Sequence, residues 1–103
     1  MREYDLYVPL HFNDGRRVPS LNLRHLKNRL IQRFGGLTQF PQKHDGFWKI
    51  GTATFRDQII ILRVLSSQSP SRSRRFWNEV KATLQTQWKQ KEVLIVVKDV
   101  TRV

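Results

Sequence analysis

The chain has 103 residues and a mass of 12.3 kDa, which predicts a single domain over residues 1–103. It contains no cysteine, which excludes disulfide frameworks, thiolate zinc sites and cysteine nucleophiles. The apolar runs at residues 59–62 and 93–97 are far shorter than the roughly 20 residues that span a bilayer. The first residues, which include Glu3 and Asp5, do not fit a secretory signal. We therefore expect a cytoplasmic protein without a membrane segment.

The charge of the chain is strongly positive. Lys and Arg number 19 against 8 Asp and Glu, which gives a net charge of +11 and an isoelectric point near 11.2. Such an excess favours a polyanionic partner such as nucleic acid. No motif in the sequence identifies a reaction, so a binding module is favoured over an enzyme.

The first half of the chain predicts a strand, a helix and an interrupted strand. Residues 4–10 alternate apolar and polar side chains, as a half-buried strand does. Ser20 after Pro19 predicts a helix start, and Gly35 predicts the end of that helix at Phe34. Its apolar stripe comprises Leu23, Leu26, Leu30, Ile31 and Phe34. Residues 37–40 and 47–50 then predict a second strand, interrupted by a loop at residues 41–46.

The second half predicts a strand, a helix and a strand. Residues 54–65 are β-branched and apolar at their centre, which favours a third strand. Ser69 and Pro70 are typical of a helix start, and the helix is expected to end near Gln90. Its apolar stripe comprises Trp77, Val80, Leu84 and Trp88. Residues 93–97 predict the fourth strand.

This order of elements, βαββαβ, predicts an α+β sandwich of the ferredoxin-like type. In that arrangement two helices cover one face of a four-stranded antiparallel sheet. The uncovered face should be polar in a monomer. However, residues 59–64 and 93–97 are apolar at both alternating sets of positions.

An apolar uncovered face predicts a partner, because large exposed apolar patches mark interaction surfaces. We expect a homodimer with the sheets packed together, since two-fold dimers are the commonest assemblies. The expected interface residues are Tyr7, Ile60, Leu62 and Val64. The alternative is that the C-terminal tail or the segment at residues 41–46 folds over this face.

Basic residues concentrate in the two predicted helices, which should lie side by side. Their solvent sides would merge into one positive surface suited to a phosphate backbone, with little reading of base sequence. The expected nucleic-acid contacts are Arg24, Arg29, Arg33, Arg72, Arg74, Arg75 and Lys81.

Short motifs across most of the chain resemble an uncharacterised family of small bacterial ferredoxin-like proteins. These motifs are residues 34–38, Phe47 with Trp48, residues 55–61 and residues 92–96. The resemblance implies the fold and no activity. Length, basicity and strand order are also similar to small CRISPR-associated ferredoxin-like dimers, but the acidic residue expected near the end of the first strand is not matched.

Two other signals are weaker. Residues 6–8 resemble the first-strand signature of an RNA-recognition motif, but residues 56–64 lack its paired stacking aromatics. His11, His25 and His44 have no metal-ligand spacing, and His44 with Asp45 could form an acid/base pair joined by His11. We predict no metal, no cofactor and no catalytic residue.

Three functions thus remain open from the sequence. The first is a non-enzymatic basic homodimer that binds nucleic acid or another polyanion through its helices. The second is a protein-interaction or assembly module that acts through the apolar sheet face. The third is a small enzyme of the dimeric α+β barrel type, with a pocket between paired sheets.

Overall fold

The computed structural model describes residues 1–40 and 44–103, apart from the side chains of His44, Trp48, Ile50 and Phe55. Its elements are β1 (Arg2–Pro9), α1 (Ser20–Phe34), β2 (Thr38–Gln39), β3 (His44–Ile50), β4 (Ala53–Ser66), α2 (Pro70–Thr86) and β5 (Leu94–Asp99). Neither helix in this part of the chain is long and apolar enough to cross a membrane.

The sheet is antiparallel, and β4 pairs with three of the other four strands. Strand β1 lies between β4 and β5, while β2 and β3 both pair with the opposite edge of β4. The two short strands are thus the two halves of the predicted interrupted strand, and residues 41–43 between them lie outside the described residues. This order, with two helices, confirms the ferredoxin-like α+β fold.

Helix α1 begins and ends close to the predicted residues. Pro19 occupies the N-cap and Ser20 is the first helical residue, so the cap lies one position before Ser20, which was predicted to start the helix. Gly35 ends the helix with φ of 83°, and its N–H donates to the carbonyl of Ile31 at 2.7 Å. A residue without Cβ adopts this left-handed conformation at little cost.

Helix α2 begins as predicted but ends earlier. Ser69 is the N-cap and Pro70 is the first residue, where the missing N–H costs no helical hydrogen bond. The helix ends at Thr86, four residues before the predicted end. Beyond it, Gln90 is buried, and its side-chain amide donates to the carbonyls of His11 and Trp88. These bonds hold the turn against His11, just beyond the end of β1, while the backbone N–H of Gln90 donates to the carbonyl of Leu84 in the last turn of the helix.

The core lies between the helices and one face of the sheet. Leu26 and Leu30 of α1 and Val80 and Leu84 of α2 are buried there, together with Trp88. The sheet contributes alternate residues, namely Tyr4, Leu6, Val8, Ile60, Leu62 and Val64. All four residues of the predicted second stripe are buried, although Trp88 lies beyond the end of α2, whereas Ile31 of the α1 stripe is exposed.

Candidate nucleic-acid interface

The helix layer, meaning α1 and α2, carries an unbalanced positive charge. Each helix has four Lys or Arg residues, and Glu79 is the only acid in either. The other seven acids lie in strands or loops. The positive charge of the two helices is therefore concentrated on one side of the molecule, because the fold places both helices on the same side of the sheet.

The predicted nucleic-acid contacts all lie on this layer. Arg24, Arg72, Arg74, Arg75 and Lys81 are exposed to solvent. Arg75 lies beside Glu79, with Nε 3.4 Å from Oε1, so its charge is partly balanced. The remaining two residues, Arg29 and Arg33, are held by further contacts.

Arg29 and Arg33 both lie over the ring of Phe76, a half-buried residue of α2. Their guanidinium carbons are 5.7 and 5.6 Å from the ring centre, within the range of cation–π attraction. Sequence reasoning missed Phe76 because this contact joins residues on two helices that are more than 40 positions apart in the chain. A groove of about 230 Å³ beside Arg29 is also lined by His25 and Gln87.

The open face of the sheet, opposite the helices, carries a different set of residues from those predicted. Ile60, Leu62 and Val64 are at most 4% exposed and pack beneath the helices, so their assignment to a dimer interface is wrong. Successive side chains of a strand point to opposite faces of the sheet. In β4 the side chains on both faces are apolar, so the sequence did not show which set faces the helices. Tyr7 is half-buried and lies opposite Ile61 on the open face.

The apolar residues of the open face come from β4 and β5. Leu65 and Leu94 are 47% and 55% exposed, and Val96 is 42% exposed. Ile59 and Ile61 are half-buried. Because these large side chains are accessible, no described segment of the chain covers this part of the face, including the C-terminal residues.

An ion network also lies on the open face. Arg63 donates Nε and Nη2 to the two carboxylate oxygens of Asp5 at 2.8 and 2.9 Å, and its Nε is 3.2 Å from Glu3. Lys98 Nζ lies 3.0 Å from the other carboxylate oxygen of Glu3. The guanidinium carbon of Arg63 lies 4.9 Å from the ring centre of Phe40. The hydrogen bonds from Arg63 lower the pKa of Asp5, and the same pair raises the pKa of Arg63. Glu3 and Asp5 are thus balanced locally by Arg63 and Lys98.

The predicted acid/base group of His44, Asp45 and His11 is described only in part. Asp45 pairs with Arg56 at 3.0 Å, and the side chain of His44 lies outside the described part of the structure. His11 instead lies near Asp57, with Nδ1 3.8 Å from Oδ1. Burial raises the pKa of Asp57, although the backbone N–H of Gln58 and His11 oppose that effect. Among the described residues, no group of three or more His, Asp or Glu side chains could hold a metal.

Two solved structures share the fold of this chain. A phage SAM lyase in complex with S-methyl-5′-thioadenosine has a TM-score of 0.69 at 12% identity, covering 95% of this chain and 80% of the lyase. A variant of CutA1 from Pyrococcus horikoshii OT3 has a TM-score of 0.61 at 12% identity, covering 100% of this chain and 86% of CutA1. No protein-family model and no curated protein matches the sequence. At this identity the comparisons establish the fold alone.

The Asp5–Arg63 pair predicts a pH-dependent contribution to stability. Replacing Asp5 with Asn should lower the free energy of unfolding at pH 7 by about 1–2 kcal/mol, between the values of exposed and buried pairs. The hydrogen bonds from Arg63 lower the pKa of Asp5 in the folded protein. The stability difference between wild type and variant should therefore be fully present above about pH 4, the pKa of Asp in an unfolded chain. It should disappear as the pH falls further, through the pKa of Asp5 in the folded protein. Urea unfolding from pH 2.5 to pH 7 measures it.

The matched control is Asp45→Asn, which breaks the more exposed Asp45–Arg56 pair. It should cost less than about 1 kcal/mol at every pH. Equal costs for the two variants at pH 7 would contradict a special role for the Asp5–Arg63 pair.

Proposed function

We propose that this protein is a basic, non-enzymatic homodimeric module that binds nucleic acid, or another polyanion, through its helix layer. The observation that carries the proposal is the separation of charge across the fold. Eight cations and one acid lie in the helices, whereas the open face has three acids, Glu3, Asp5 and Asp57, against the cations Arg63 and Lys98. A ligand with many negative charges, such as a nucleic acid, is therefore expected to bind at the helix layer.

The chemistry of this surface favours contact with phosphates over base reading. Arg24, Arg72 and Arg74 are long, exposed side chains that can neutralise phosphates and release the counterions condensed on a nucleic acid. Such contacts position a duplex without distinguishing its sequence. The expected binding is therefore strong at low salt and weak at high salt.

The open face favours a second copy of the chain as its occupant. Two helix layers repel each other, whereas the open face has three acids, Glu3, Asp5 and Asp57, against two cations and exposes Leu65, Leu94 and Val96. Pairing through this face buries the apolar side chains and leaves both helix layers exposed. A different protein bound to the same face, as in an assembly module, is the alternative. Membership of the uncharacterised bacterial family also stays a proposal, and it implies no activity.

A second candidate function is an enzyme of the dimeric α+β barrel type. The specific observation is His11 beside the largely buried carboxylate of Asp57, at the end of β1. A carboxylate near an imidazole can orient it as a general base. A phage SAM lyase has the same fold, and its complex with S-methyl-5′-thioadenosine names a ligand to try.

Charge reversal on the helix layer tests the nucleic-acid proposal. Wild-type affinity for a 20-base-pair duplex should fall roughly a hundredfold between 50 and 200 mM salt if four phosphates are contacted. Arg74→Glu should weaken binding and reduce the slope against salt by about one phosphate. Fluorescence anisotropy with a labelled duplex, and with a single strand of equal length, gives both quantities.

The control is Arg102→Glu, which makes the same charge change at an exposed position outside the helices. Its affinity should stay within about twofold of wild type, since a distant exposed charge is largely screened. The proposal fails if wild-type binding is undetectable at 50 mM salt, does not weaken with salt, or is equally impaired by both variants.

Substitutions of two exposed leucines test the open-face dimer. Leu94→Lys places a charge on the open face and should convert the dimer to a 12.3 kDa monomer. Leu21→Lys makes the same change on α1, where the side chain is 48% exposed, and should leave the dimer intact. Sedimentation velocity at about 50 μM measures the mass. A monomeric wild type, or equal effects of both substitutions, would contradict the proposed dimer.

Ligand binding separates the enzyme candidate from the binding module. If the chain is an enzyme of this type, calorimetry should detect S-methyl-5′-thioadenosine binding, and His11→Gln should reduce enzymatic turnover of S-adenosylmethionine by at least about a hundredfold, as loss of a general base does. Asp45→Asn, away from His11, is the matched control. Absence of both binding and turnover in the wild type would refute this candidate.

A further inference from the structure

Two arginines converge on one aromatic ring between the helices. Arg29 and Arg33 are one helical turn apart on α1, and both guanidinium groups lie less than 6 Å from the ring centre of Phe76 on α2. The rings of Phe34 and Trp77 pack edge-on against Phe76, each with a centroid distance of 5.3 Å. This packing fixes the ring, so the two cations share a defined support. We call Arg29, Arg33 and Phe76 the arginine–phenylalanine seat.

Neutral acceptors hold both guanidinium groups in place. Arg29 donates from Nη1 to the Thr83 hydroxyl at 3.1 Å, and that hydroxyl donates to the Glu79 carbonyl at 3.1 Å. Arg33 donates from Nη2 to the Gln68 side-chain oxygen and to the Arg72 carbonyl, both at 3.2 Å. These bonds orient the side chains but leave their positive charges unbalanced.

Five other arginines in the described part of the chain are neutralised by acids, whereas Arg29 and Arg33 are not. Each of the following pairs with Asp or Glu: Arg2, Arg16, Arg56, Arg63 and Arg75. Over residues 1–40 and 44–103, neither Arg29 nor Arg33 has a carboxylate partner. Cation–π attraction to the ring orients the two guanidinium groups but does not neutralise them. An anion bound at the seat would supply the missing negative charge.

We propose that the arginine–phenylalanine seat binds the phosphates of a nucleic-acid backbone. Each guanidinium has five N–H donors, and the described contacts use one nitrogen of each. The remaining donors form planar forks that match the oxygens of a phosphate, which a lysine ammonium does not. The groove beside Arg29 gives the adjoining part of the backbone space to lie between the helices. This inference rests on the proposed function and assigns its strongest single contact.

Charge-conserving substitutions test the seat. Arg29→Lys and Arg33→Lys keep the net charge and lose the fork, and Phe76→Leu keeps an apolar side chain but loses the ring. Each should weaken duplex binding roughly fivefold at 100 mM salt, because charge-assisted forked hydrogen bonds are the stronger ones. Arg24→Lys, on the same helix and exposed, is the matched control and should change affinity less than about twofold. Thermal unfolding of each variant identifies any that fail to fold.

A direct measurement accompanies the affinities. On titration with duplex, the side-chain Nε–H signals of Arg29 and Arg33 in NMR spectra should shift before that of Arg24. If the wild type binds but both seat lysine variants behave like Arg24→Lys, and the Arg29 and Arg33 signals do not shift first, the seat is refuted while the proposed function stands. If the wild type does not bind duplex at low salt, the proposed function itself fails.

Discussion

A single constraint shapes this molecule: a sheet has two faces, and two helices cover only one of them. Successive residues in the second half of β4 must therefore point alternately into the helix-covered core and towards the open face. Leu62 and Val64 fill the core, while Ile61 and Leu65 take the open side. Because apolar residues occupy both sets, burial of the first set leaves the second set without a cover from the described chain.

The same constraint separates the charges. Residues on the outer sides of the helices can be cationic without disturbing the core, and both helices are cationic there. On the open face, Asp5 and Glu3 are close to Arg63 and Lys98, which compensates their partial burial. The molecule thus has one strongly positive side and one side that is nearly neutral and partly apolar, and the two proposed binding roles follow from that difference.

Much of the fold could be predicted because its signals are local. The spacing of Trp77, Val80 and Leu84 marks the buried stripe of α2, and Gly35 marks the end of α1. The interface residues could not be predicted, since alternation in residues 59–64 gives two equally apolar sets and no local signal distinguishes them. The helix cations were found from composition, but the contacts of Arg29 with Phe76 and Thr83 join residues more than 40 positions apart in the chain.

Sequence alone determined the element order, the ferredoxin-like class and the positive charge of both helices, because periodicity, capping residues and composition act over a few neighbouring positions. Only the tertiary structure decided that Ile60 is buried and Ile61 is on the open face, and that Arg29 and Arg33 share Phe76. Both outcomes depend on how α1 and α2 pack on the sheet. That packing brings together side chains separated by tens of residues, so no local sequence pattern predicts which of them are buried or in contact.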